Sequence, residues 1–129
     1  MTYLIDTDWV AEYLKGRDPA TQILDALAPE ELAISLITYG EIYEGIYYGR
    51  DPKRAEQGFL QFLRGIDILP LNRPIMKEFA QIRGQLRKAG QRIDDPDILI
   101  AATAIYHDLT LFTHNKRHFS RIPTLKLFE

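Results

Sequence analysis

Cysteine is absent from the 129 residues. That excludes disulfides and thiolate metal sites, and it agrees with a reducing compartment. No apolar run approaches the ~20 residues that span a bilayer. The start, MTYLIDTDWV, has neither a basic n-region nor a cleavage site, so a cytoplasmic protein without membrane contact is expected. There is no surplus of positive charge either. The formal net charge is −2, so any nucleic-acid binding needs a local basic face. Repeats, low-complexity tracts and linkers are missing too. What is present is an ordinary globular composition, 46% hydrophobic and 26% charged, and residues 1–129 read most simply as a single domain.

Short apolar runs mark the strands. Tyr3 to Ile5 is β-prone and stops at Asp6, and Leu32 to Leu36 (LAISL) reads as a second buried strand. Asp67 to Leu69 ends at Pro70, Thr110 to Thr113 is a fourth strand, and Leu125 to Phe128 suits an edge. Helical spacing fills the gaps: Trp9 to Leu14 closed by Gly16, Thr21 to Leu27, Thr38 to about Gly49, and Pro52 to Arg64. A further helix is capped by Asn72 and ended by Gly90, and another starts at Asp95-Pro96 and runs to His107. The alternation predicts a three-layer α/β/α sandwich with a mainly parallel sheet of four or five strands. Its functional crevice then lies beyond the carboxyl ends of the strands, at Asp6 to Asp8, Thr38 to Glu41 and Thr113 to Asn115.

Acids gather at those ends. Asp6 follows the first strand, Glu41 lies one turn into the helix after the second, and Asp97 opens the helix of IDDPDILIAATA, residues 93–104. Carboxylates sharing a crevice repel, and a bound divalent cation relieves the repulsion. Oxygen donors without cysteine suit Mg²⁺ or Mn²⁺. Plainer readings stand beside this one. Thr38-x-x-Glu41 fits a capping box, and Asp95-Pro96-Asp97 fits a helix cap followed by an acid that the macrodipole favours. Asp6 is harder to explain by solvation, because it follows a buried strand.

Three blocks, YLIDTDWV, AISLITYGEIYEGI and DILIAATAIYHDLTLFTHNKRHFSRIPTLKL, taken in that order and spacing, resemble the PIN-domain ribonucleases and, among them, the VapC-type toxins of toxin–antitoxin pairs. The resemblance spans nearly the whole chain. It implies that Asp6, Glu41 and Asp97 are the acidic residues of the site, with Asp6 and Asp97 holding one Mg²⁺ or Mn²⁺ and Glu41 binding directly or through water. It puts Thr7 and Thr113 beside the site and Asn115 at a fourth polar position where relatives often carry Asp, with His118 following where some relatives show an acid. It further implies RNA as substrate, a VapB-type antitoxin as partner, and a homodimer. On this reading Asp97 faces the crevice, Asp95 caps the helix and Asp94 is solvated.

An acidic site needs basic groups to hold RNA. Arg83, Arg87, Lys88 and Arg92 form one cluster, and Lys116, Arg117 and Arg121 a second, with Lys116 and Arg117 nearest the Asn115 loop. Either cluster can equally be a solvated face. His107 and His118 are read as surface or structural residues, whereas His114 has a place from which to touch substrate. Tyr39, Tyr43, Tyr47 and Tyr48 form a stripe suited to packing and in part to an interface. Two alternatives remain open at this point. Asp6-Thr7-Asp8 also resembles the nucleophile motif of haloacid-dehalogenase-type phosphatases, with Asp94-Asp95 as their later acidic pair. The neutral Asn115 also suits a catalytically degenerate PIN scaffold that binds RNA or protein.

Overall fold

The apolar runs form a fully parallel sheet in a computed structural model that describes residues 1–129. Strands β1 (Tyr3–Ile5), β2 (Leu32–Ser35), β3 (Asp67–Leu69), β4 (Thr110–Phe112) and β5 (Lys126–Leu127) lie in the order β3-β2-β1-β4-β5. Every neighbouring pair is parallel, with Leu4 opposite both Ala33 and Leu111. Parallel neighbours require crossover connections, and seven α-helices supply them: α1 (Thr7–Leu14), α2 (Ala20–Asp25), α3 (Leu36–Tyr47), α4 (Pro52–Phe62), α5 (Arg73–Lys88), α6 (Asp95–Tyr106) and α7 (Lys116–Phe119). A single 3₁₀ turn, Pro29–Glu31, leads into β2.

Alternation along the strands divides the core between the two faces of the sheet. Leu4, Ala33 and Leu111 point to one face, where Ile75, Ile82 and Leu86 of α5 and Ile98 to Ala104 of α6 cover them. Ile5, Ile34 and Phe112 point to the other face, against Trp9 and Val10 of α1, Ile42 and Ile46 of α3 and Phe59 of α4. This is the expected three-layer arrangement. Small Ala101, Ala102 and Ala104 are fully buried, which lets α6 lie close to the sheet.

The helix ends differ from the sequence reading in ways that matter for the site. Helix α3 begins at Leu36, and its cap is Ser35, whose hydroxyl accepts from the Thr38 N–H at 3.1 Å. The Thr38-x-x-Glu41 capping box is therefore not formed, and Glu41 is released from any capping duty. Likewise α1 starts at Thr7, with Asp6 as its cap residue. Asp94, not Asp95, occupies the cap position of α6, and its side chain makes no capping bond. The expected stop signals do appear: Gly16 and Gly90 take positive φ of 71° and 68° just beyond α1 and α5.

Successive strands move outward from β1 in both directions. Chain order therefore reverses between β1 and β4, and open parallel sheets place their crevice at such a switch point. Asp6 and Thr113 are the residues that leave these two strands.

Candidate active site

Asp6 is 5% exposed, a carboxylate at the end of a buried strand. Its Oδ1 accepts from the Thr7 N–H at 2.8 Å and its Oδ2 from the Thr113 hydroxyl at 2.7 Å. The Thr113 hydroxyl also accepts from the Asn115 N–H at 3.0 Å, which ties the loop after β4 to the end of β1. Thr7 reaches the other way, donating from its hydroxyl to Glu41 Oε1 at 2.6 Å and lying 3.0 Å from the Thr38 hydroxyl. A chain of contacts thus joins Asn115, Thr113, Asp6, Thr7 and Glu41 across the carboxyl ends of β4, β1 and β2.

Asp97 lies in the first turn of α6, near enough for its charge to act on Asp6 and for that of Glu41 to act on it. Burial pushes the Asp6 carboxyl from its ordinary 3.8 up to about 7. Asp8 adds to that rise and Asp97 contributes a smaller part, while the bonds from Thr113 and Thr7 oppose it. Asp97 is also raised, first by burial and then by Glu41 and Asp94, with His118 pulling it down. Asp8 is raised by burial too, and the His114 N–H that donates to its Oδ2 at 2.9 Å counters this. Each carboxyl feels the charge of its neighbours, which is the signature of acids assembled in one crevice.

All the candidate donors here are oxygens, in carboxylate, hydroxyl and amide groups, and no lysine or arginine forms an ion pair with Asp6, Asp8, Glu41 or Asp97. That chemistry fits a hard divalent cation. No three His, Asp or Glu side chains are drawn into a ready-made cage.

Two residues of this crevice were given no role in the acidic site by the sequence reading. Asp8 was noted at the strand end but was not counted among the acids, although its spacing of two from Asp6 was visible. His118, read there as surface or structural, is half-buried and accepts from the Asn115 amide at 3.0 Å. Its charge effect on Asp97 places it on the rim of the same crevice. His114 is held by other bonds: its ring stacks on Trp9 at 5.0 Å and lies 2.9 Å from Glu12. Lys116 and Arg117 are exposed in the first turn of α7 and take part in no ion pair. Tyr39 and Tyr43 pack on Phe59, whereas Tyr47 and Tyr48 are 67% and 88% exposed.

The PIN-domain family matches residues 3–125. The chain belongs to that family. Within it, this PIN domain is 36% identical over 128 residues to Ribonuclease VapC1 of Methanocaldococcus jannaschii, covering 98% of this chain and 86% of that protein. Among solved structures, VapBC2 from Rickettsia felis, bound to a DNA fragment from their promoter, superposes with a TM-score of 0.90 at 27% identity, covering 99% of this chain and 98% of that one. FitAcB from Neisseria gonorrhoeae superposes at 0.86 with 30% identity, covering 99% and 97%. These likenesses make this a VapC-type PIN domain. The phosphatase alternative finds no support in them, and Asp94-Asp95 open a helix here instead of ending a strand.

Proposed function

We propose that this chain is the ribonuclease toxin of a toxin–antitoxin pair, and that it hydrolyses RNA phosphodiesters in the crevice above β1 and β4. The observation that carries the reading is the buried Asp6 at the switch point of the sheet, raised to about 7 by burial and the charges of Asp8 and Asp97. It occurs in a chain 36% identical to a protein named a ribonuclease.

Asp6 and Asp97 would hold Mg²⁺ or Mn²⁺, with Glu41 engaged directly or through water. A divalent ion bound there supplies charge for the phosphate oxygens and lowers the pKa of an attacking water. The chain's own residues do the rest. Thr113 and the Thr7 N–H keep Asp6 oriented and favour its ionised form, and Thr7 also fixes the Glu41 carboxylate. Asn115 offers a neutral amide at the crevice edge, its NH₂ end held by His118. Lys116 and Arg117 supply positive charge for the RNA strand next to Asn115.

The partner proposed for this chain is a VapB-type antitoxin, by likeness to the VapBC and FitAB assemblies. A homodimer is proposed on the same ground. No helix is long and apolar enough to cross a membrane, and action in the cytoplasm is part of the proposal.

Induced expression of the chain alone, compared with Asp6→Asn and Asp97→Asn, tests the reading. Growth arrest with loss of cellular RNA is expected for the parent only. Equal toxicity in all three would sink metal-dependent cleavage, and purified parent that binds RNA without cutting it would favour the scaffold alternative.

A further inference from the structure

Near the acidic crevice, between the end of α5 and the start of α6, lies an open cleft of about 770 Å³. Arg83, Arg87 and Arg92 line it, together with Gln91. Arg83 and Arg87 are four residues apart on α5, a rise of about 6 Å along the helix. That step is comparable with the spacing of successive phosphates in an extended single strand.

Arg83 is partly engaged, its Nε bonded to Asp95 Oδ1 at 2.9 Å, which fastens α5 to the first residue of α6. Arg87 and Arg92 are in no ion pair, the salt bridges being Arg83–Asp95, His114–Glu12 and Lys126–Asp108. Two free guanidinium groups therefore share one cleft in a protein whose net charge is −2. The loop that carries Arg92 is also fixed, because Arg121 donates to the Arg92 carbonyl at 3.0 Å. Asp94 links the two regions: it forms part of the cleft wall, and its charge acts on Asp97. Free arginines in a fixed cleft whose wall includes Asp94, three residues before Asp97, suit a phosphodiester strand, since guanidinium donors match phosphate oxygens in pairs and stack on bases.

We propose that this α5–α6 cleft is a binding track for single-stranded RNA, in which Arg87 and Arg92 hold phosphates flanking the one presented to Asp6 and Asp97. The proposal rests on the ribonuclease reading above. It adds a grip on the strand beyond the one that Lys116 and Arg117 supply next to Asn115.

Binding is measured on the full chain in EDTA, so that affinity is read without cleavage, with a labelled single-stranded RNA of about 12 nucleotides as probe. Arg87→Ala with Arg92→Ala should raise the Kd roughly tenfold and flatten the salt dependence by about 1.4, from about 0.7 per lost phosphate contact on a single strand. The charge-matched pair Arg73→Ala with Lys77→Ala, at the far end of α5, should change the Kd less than about twofold, as expected of solvated charges outside a contact surface. Arg87→Lys with Arg92→Lys keeps the charge but loses the fork, and should retain the salt slope while binding more weakly than the parent. Equal losses in the two Ala pairs, or an unchanged slope in the cleft pair, overturn the track. Parent that cuts RNA, paired with a cleft variant that binds like it, removes the track and leaves the nuclease. Parent that neither binds nor cuts RNA removes both.

Discussion

The Thr113 hydroxyl donates to Asp6 Oδ2 at 2.7 Å across 107 positions of sequence. It links the residues that leave the two strands on either side of the switch point, and it favours the ionised form of a carboxyl whose pKa burial raises. Thr113→Val keeps the shape and removes the donor. Protons and cation then compete for Asp6 on worse terms for the cation. At subsaturating Mn²⁺ the acid limb of RNA cleavage should move to higher pH, and the rate at neutral pH should fall about tenfold, in line with ~1.5–3 kcal/mol for a hydrogen bond to a charged group. Thr113→Ser should restore the parent profile. An unmoved profile in Thr113→Val would show that the bond does not govern Asp6.

The same buried acid makes a prediction about stability. In the metal-free protein the Asp6 carboxyl titrates at about 7 against an ordinary 3.8. The folded value is the higher one, so the stability contributed by Asp6 is fully present below about pH 4 and is lost as pH rises through about 7. At ~1.36 kcal/mol per pH unit that interval corresponds to roughly 4 kcal/mol. Asp8 and Asp97 act in the same direction. Asp6→Asn is neutral throughout. Urea unfolding in EDTA should therefore find Asp6→Asn more stable than the parent at pH 8, with the advantage shrinking toward pH 4. Two curves of equal stability at pH 8 would contradict the burial argument.

Separating cap from site gives a third test. Ser35 caps α3, so Ser35→Ala should cost about 1 kcal/mol of unfolding free energy. Glu41 caps nothing and is exposed, its carboxylate fixed by Thr7. Glu41→Gln should leave stability within about 0.5 kcal/mol while greatly reducing RNA cleavage. Destabilisation by Glu41→Gln comparable with that of Ser35→Ala would return Glu41 to a structural role.

What could be read from sequence, and what could not, follows from the range of each interaction. Strands β1 to β4 were legible because each is a short apolar run cut off by a polar residue or by proline. The crevice was legible because parallel topology sends strand ends to one rim, which brought Asp6, Glu41 and Thr113 together before any coordinates. The caps were misplaced by one to three residues. Ser35 lay inside an apolar run, LAISL, that read as strand to its end, and Asp94 and Asp95 are interchangeable as local cap signals. Helix α7 has only four residues, too few for a periodicity to show. The role of His118 was not legible for a different reason. Its partners, Asn115 and the charge of Asp97, belong to one site only once α6 and the loop after β4 have met.

Asn115 offers the last test. Its backbone N–H is tied to Thr113 and its amide to His118, so the side chain is held at the crevice edge without adding charge. Asn115→Asp would place a further negative charge there. Unit charges a few ångströms apart interact by ~1 kcal/mol in water and ~4 kcal/mol at an effective dielectric of 20. Calorimetric Mn²⁺ affinity should therefore rise about tenfold. The same charge should destabilise the metal-free protein, because it repels Asp6 and Asp97 when nothing is bound between them. Asn115→Ala removes the bond to His118 and adds no charge, so it should leave Mn²⁺ affinity close to that of the parent. If Asn115→Asp binds Mn²⁺ no better than the parent, position 115 does not face the cation, and its role narrows to holding the loop after β4.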